Sequence, residues 1–147
     1  MRLKPMEIEI KKEGERLAPG GLHDKTKVVA PDLIILSNGI IRMFYVGVSC
    51  DPAERKGYRI LSADSKDGLK FKKNPHPILN DVLTDNKQYS PCVRQINGIY
   101  KMYFSNYESG KYIIRSGSSS YCLYFKLDEN IVIGTNEKHQ QAAHTPR

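Results

Sequence analysis

The sequence predicts an all-β protein built of four-stranded antiparallel propeller blades, too few to close a ring. The first observation behind this is a repeat. Ala30-Pro31-Asp32-Leu33-Ile34, Asn38-Gly39 and Arg42-Met43-Phe44-Tyr45 return 59 to 60 positions later as Ser90-Pro91-Cys92-Val93, Asn97-Gly98 and Lys101-Met102-Tyr103-Phe104. Tyr58-Arg59-Ile60-Leu61-Ser62 and Leu69-Lys70-Phe71 return as Tyr112-Ile113-Ile114-Arg115-Ser116 and Leu123-Tyr124-Phe125 at a spacing of 54, so the first copy carries about five extra residues in one hairpin. The second observation is that turn residues cut each copy into short alternating runs, which at this period is the mark of propeller blades. The alternative with the same turn signals is two sheets packed face to face as a β-sandwich.

Each element follows from local chemistry. Ile8 and Ile10 alternate within Glu7 to Leu17 ahead of Pro19-Gly20-Gly21, which reads as one strand and a connection. The first full unit has strand candidates at Val29 to Leu36, Ile40 to Val48, Tyr58 to Ala63 and Leu69 to Lys73. Asn38-Gly39 predicts a type I′ hairpin between the first two, because both central residues tolerate positive φ. Asp51-Pro52 and Lys56-Gly57 bracket the longer second hairpin, and Lys66-Asp67-Gly68 makes the third turn. The second unit repeats the plan at Pro91 to Ile96, Ile99 to Asn106, Tyr112 to Ser118 and Tyr124 to Lys126, with Ile131 to Ile133 extending the last strand. Its turns are Asn97-Gly98, Glu108-Ser109-Gly110 and the stretch from Ser119 to Cys122.

The chain therefore divides into 1–27, an outer strand of a preceding blade plus a connection; 28–80, blade one; 81–135, blade two; and 136–147, a polar tail. Blades bury their faces against neighbours, so a pair leaves one apolar face open at each end. The expected cover is further blades of a longer propeller or a second copy of the chain in a homo-oligomer.

Composition suits a globular β protein, with 39% hydrophobic and 27% charged residues, nine Tyr and four Phe. The net charge of +7 is spread singly or in pairs, as at Lys11-Lys12 and Lys72-Lys73, which describes solvated strand faces and guarded edges and not a phosphate track. Nucleic acid is not an expected partner. No apolar run reaches the roughly 18 residues of a membrane span, and Met1 to Met6 form no signal-peptide core, so a cytoplasmic location is expected. Cys50, Cys92 and Cys122 have no metal-ligand spacing and read as free, partly buried thiols. His139 and His144 stand in the polar tail. No metal and no cofactor are expected.

The pattern of Pro31, Asn38-Gly39, Met43-Phe44-Tyr45, Ile60, Ser62-Ala63-Asp64-Ser65-Lys66-Asp67-Gly68 and Phe71 resembles blades of the five-bladed propeller glycoside hydrolases, the arabinanase, levansucrase and invertase group. The second copy resembles them through Tyr89-Ser90-Pro91, Asn97-Gly98 and Tyr100 to Phe104, and the likeness runs from about Val28 to Phe125. The resemblance implies three carboxylates around a central depression, at the starts of inner strands of different blades. One serves as nucleophile or base and one as acid, and their separation sets retention or inversion.

Carried onto this chain, that pattern makes Asp24, Asp32 and Asp85 the catalytic candidates. Asp24 and Asp85 precede Pro31 and Pro91 in the connections into inner strands, and Asp32 follows Pro31 directly. His23 and Tyr89 beside these positions, and Arg94 on the second inner strand, are the candidate saccharide contacts. Each carboxylate has a structural explanation as well, since Asp commonly accepts backbone hydrogen bonds in loops. The chain departs from the family in two respects. Ser90-Pro91-Cys92 stands where a Glu would open the second inner strand, and Phe71 and Phe125 replace the Trp common on the fourth strand. The leading expectation is a glycosidase-related propeller acting on or binding a saccharide. The alternative is a non-catalytic carbohydrate-binding or protein-interaction module.

Overall fold

A computed structural model describes residues 11–51, 57–79 and 87–134. Among these the chain is all β, in two four-stranded antiparallel sheets of sequential order. Sheet one comprises β1 (Lys27–Ile35), β2 (Ile41–Val48), β3 (Tyr58–Ser65) and β4 (Lys72–Lys73). Sheet two comprises β5 (Lys87–Ile96), β6 (Ile99–Glu108), β7 (Lys111–Ser119) and β8 (Lys126–Leu127). The eight strands are those expected from the repeat, with ends moved by a few residues. The described part of the predicted first strand, 11–17, takes no strand pairing. It runs along sheet one, where Leu17 packs against Tyr45, Leu61 and Ala63.

The two copies close their first hairpins differently. Asn97 and Gly98 both have positive φ, and Ile96 pairs directly with Ile99, which is the predicted two-residue turn. In the first copy only Gly39 has positive φ, the Gly39 amide donates to the Leu36 carbonyl and the Leu36 amide to the Ile40 carbonyl. Ser37 makes this a three-residue loop, so the chain turns as type I and places Gly39 alone in the left-handed region. The Asn38 side chain then caps the loop by accepting from the Ile40 amide at 3.0 Å.

Both inner strands are broken at the same point. The register slips between Val29 and Asp32 in β1 and between Tyr89 and Cys92 in β5, and Ala30 and Ser90 adopt φ of 53° and 49°. Each stands immediately before a proline, which has no amide to give to a ladder. The bulge takes the proline out of the pairing and reverses the alternation of the strand. Val28 therefore packs on one face of sheet one, while Ala30 and Ile34 pack on the other.

The blades stack head to tail. Phe44, Val46 and Ile60 of sheet one bury against Val93, Met102 and Phe104 of sheet two, and the Phe44 ring meets Phe125 edge-on at 5.7 Å. The repeat makes Met102 and Phe104 the counterparts of Met43 and Tyr45, which lie on the opposite face of sheet one from Phe44. Unlike faces thus meet, as in a propeller. A sandwich closing two like faces is excluded by this packing.

Hydrogen bonds sew the blades along the same junction. The Ile60 amide donates to the Gln88 side-chain oxygen, and the Phe125 amide donates to the Ile78 carbonyl. Arg42 grips Asp64 through two bonds of 2.7 and 2.6 Å and donates a third to the Cys122 carbonyl across the junction. Cys92 and Cys122 are buried free thiols and Cys50 is an exposed one. No helix is long and apolar enough to cross a membrane.

Candidate functional site

The start of β5 and the β2–β3 and β6–β7 hairpins lie at one end of the blades. Lys87 pairs with Tyr107 and Tyr107 with Tyr112, while Lys27 pairs with Val48 and Val48 with Tyr58. Four tyrosines converge there. The Tyr89 ring lies 4.9 Å from Tyr58 and 5.9 Å from Tyr112, and Tyr107 lies 4.9 Å from Tyr112. All four are half-buried, and the Lys87 ammonium sits 5.5 Å over Tyr58. Burial, with neighbouring Tyr112 and Tyr58, pushes the Tyr89 phenol up to about 12, so it stays a neutral hydroxyl at physiological pH.

A polar group stands on the other face of the same strands, β6 and β7, since Arg115 pairs with Phe104 and Tyr112 with Tyr107. Glu108 accepts two bonds from Arg115, at 3.0 and 2.7 Å, and one from the Asn106 side-chain amide at 3.0 Å. Asn106 lies directly opposite Gln88, and both are buried. Among the described residues the Asn106 side-chain oxygen has no hydrogen-bond partner. Glu108 closes the end of β6, a position that alternation alone marks only as the edge of a hairpin. The other signal for this cluster, three tyrosines within Tyr103 to Tyr112, reads equally as sheet filler in the sequence.

The six residues singled out by sequence are distributed as follows. Asp24 is buried on the outer face of sheet one: Lys73 lies 2.6 Å from one oxygen, the Tyr45 hydroxyl donates to that same oxygen at 3.1 Å, and the Gly21 amide donates to the other at 2.6 Å. Burial by itself raises a carboxyl, but Lys73, the Gly21 amide and Tyr45 together hold Asp24 below the ordinary carboxylate range. The same burial, reinforced by the Asp24 charge, drives the Tyr45 hydroxyl well above its ordinary value. His23 is half-buried beside it, its carbonyl packed against Gly47.

Asp32 lies across the sheet from Asp24. It pairs in register with Phe44, and its carboxylate accepts from the Val93 amide at 2.7 Å and from Arg94 at 3.3 Å. The structure thus joins Asp32 to Arg94 and Tyr89 to the aromatic cluster, and it puts Asp24 and Asp32 on opposite faces of one sheet. Asp85 lies outside the described residues. Among the described residues no group of His, Cys, Asp or Glu is arranged to hold a metal ion.

No family model matches the chain, and no curated protein is similar to it. Solved structures are. The chain aligns with a member of glycoside hydrolase family 130, whose described hydrolases target β-1,2 mannosidic linkages, at 18% identity and a TM-score of 0.59, covering 71% of this chain and 32% of that one. A thermostable family-43 glycoside hydrolase matches at 15% identity and a TM-score of 0.56, over 76% of this chain and 40% of that one. The family-32 β-fructofuranosidase of Bombyx mori matches at 10% identity and a TM-score of 0.60, over 73% of this chain and 23% of that one. The fold is thus that of blades from the five-bladed propeller glycoside hydrolases. This chain spans between about a quarter and two fifths of the length of these structures.

Proposed function

We propose that the chain is a saccharide-binding unit of a glycosidase-type propeller, with its site at the strand-start end of the blade junction. The observation that carries this reading is the contiguous set of Tyr58, Tyr89, Tyr107 and Tyr112, with the Lys87 ammonium over the Tyr58 ring. Half-buried rings offer apolar faces to a pyranose or furanose, and their hydroxyls can exchange hydrogen bonds with those of a sugar. The likeness of fold to glycoside hydrolases supports a saccharide as the ligand class.

A hydrolytic reading stands second, favoured by one observation: Asp32 follows the bulge on an inner strand and turns toward the blade junction, beside Arg94. Asp24 suits it less well, because its oxygens are engaged by Lys73, Tyr45 and Gly21 away from that junction. Asp85 enters by its sequence position alone.

Thermal melting of the chain with manno-, arabino- and fructo-oligosaccharides separates these readings. Binding raises the melting temperature with ligand concentration. Tyr89→Ala is expected to erase that shift, and Tyr121→Ala, on an exposed turn at the other end of the sheet, to keep it. The absence of a shift with every saccharide overturns the binding reading. Release of an aryl leaving group by the wild type and not by Asp32→Asn would put hydrolysis first.

A further inference from the structure

The repeat allows the buried junction between the blades to be compared, residue for residue, with the two faces that have no neighbouring blade among the described residues. In blade one the Ile78 amide donates to the Ile60 carbonyl, and in blade two the Val132 amide donates to the Ile114 carbonyl, 54 positions on in both partners. Ile78 and Leu79 then pair with Phe125 of the next blade and are 0% and 4% exposed. Their counterparts Val132 and Ile133 hold the same backbone position, yet are 46% and 56% exposed. The first blade shows the complementary deficit. Val93 of β5 is 1% exposed within the junction, whereas its counterpart Leu33, across from Met43 on the outer face of sheet one, is 49% exposed.

One chain therefore carries both halves of a blade junction, a knob edge at Val132–Ile133 and a receiving face around Leu33; among the described residues these positions stay exposed, although Leu17 and Asp24 of the same chain already cover the Tyr45 end of the receiving face. Beside Leu33, the receiving face has an open groove of about 200 Å³ lined by Leu17, Val28, Val29 and Met43. Phe71, the counterpart of Phe125, is half-buried on that same face.

We propose that two copies of this chain join head to tail through these surfaces, the second blade of each docking on the first blade of the other. Such a contact is heterologous, and it becomes a finite assembly only if the rotation closes. Two chains of two blades supply four, the smallest number at which propellers close. The inter-chain junction lacks three polar links of the internal one: Cys92 stands where Asp32 accepts the Val93 amide, Val28 where Gln88 accepts the Ile60 amide, and Lys101, bonded to Asp128, where Arg42 reaches the Cys122 carbonyl, so the new contact rests on apolar burial and main-chain pairing. The saccharide reading above is independent of this assembly.

Light scattering of the full chain across a concentration series tests it. The expected mass is twice 16.7 kDa, falling toward one chain on dilution. Ile133→Asp and Leu33→Asp, both at exposed positions, are each expected to yield monomers with unchanged circular dichroism. An equimolar mixture of the two variants restores one intact junction and is expected to dimerise, which non-specific association through either face would not reproduce. A wild type that remains monomeric at every concentration overturns the proposal. So does a mass insensitive to both substitutions, or a mixture that stays monomeric.

Discussion

The carboxylate of Asp32 accepts the backbone amide of Val93 at 2.7 Å, joining the inner strand of one blade to the inner strand of the next. Strict alternation from Val28 would have turned Asp32 to the far face of its sheet. The bulge at Ala30 brings it to the junction.

That bond makes a stability prediction. Asp32→Ala leaves a buried amide without an acceptor and is expected to cost about 1–3 kcal/mol, read as a lower urea midpoint. Asp32→Asn keeps an oxygen in place and should lose less. Equal midpoints for wild type and Asp32→Ala would show that the bond contributes nothing to holding the blades together.

Acid should weaken the fold through a small set of carboxylates. Asp24, Asp64 and Asp128 are all held below their ordinary value of 3.8: Asp64 chiefly by Arg42, and Asp24 and Asp128 by Lys73 and by Ser116, Ser118 and Lys101, which outweigh the effect of burial. A depressed folded value stabilises above the unfolded one, so this contribution is complete above about pH 4 to 5 and is lost as pH falls through the folded values. Asp67, capping the Leu69 and Lys70 amides, is lowered to about 2 and titrates last. Stability that rises between pH 5 and pH 3 in urea titrations would contradict this assignment.

Lys73→Met isolates the Asp24 part of that behaviour. Removing one partner of a buried pair is strongly destabilising, but Lys73 is about a third exposed, which reduces the expected loss at pH 7 to about 1–3 kcal/mol. Without the cation, Asp24 loses its main lowering partner and keeps only Gly21 and Tyr45 against the effect of burial, so its carboxyl rises relative to wild type and the deficit should shrink as pH falls through 4. A deficit independent of pH would mean that Lys73 acts by packing alone.

Gly47 has no room for a side chain. A methyl there would collide with the Leu61 side chain, stand 2.7 Å from the His23 carbonyl and press on Asp24. Gly47→Ala is expected to destabilise by about 1–3 kcal/mol in thermal or urea unfolding and to loosen the segment that carries His23 and Asp24. An unchanged midpoint would show that this segment lifts away freely.

The three thiols should report burial directly. Cys50 is exposed, Cys92 is buried, and burial pushes the Cys122 thiol up to about 11. At pH 8 a thiol-disulfide reagent is expected to modify one cysteine quickly in the native chain and all three in denaturant. Three fast reactions under native conditions would contradict the burial of the junction.

What the sequence determined by itself is the strand plan. Alternation, Asn97-Gly98 and the recurrence of Tyr58 to Phe71 as Tyr112 to Phe125 are local properties, and local pairing follows from them without knowledge of the rest of the chain. Even the departure at Asn38-Gly39 is local, since Ser37 adds one residue to the loop. Only the tertiary structure decided which face each carboxylate takes. The bulges at Ala30 and Ser90 reverse the alternation, and their effect on Asp32 is visible only once β1 is laid against β2 and β5. Packing likewise turned Asp24 into a buried partner of Lys73, gathered Tyr58 with Tyr89 across two blades, and fixed Glu108 on Arg115. The reason is range: register and turn type are set within a few residues, whereas a site is made by side chains from strands tens of residues apart that only the stacking of blades brings into contact.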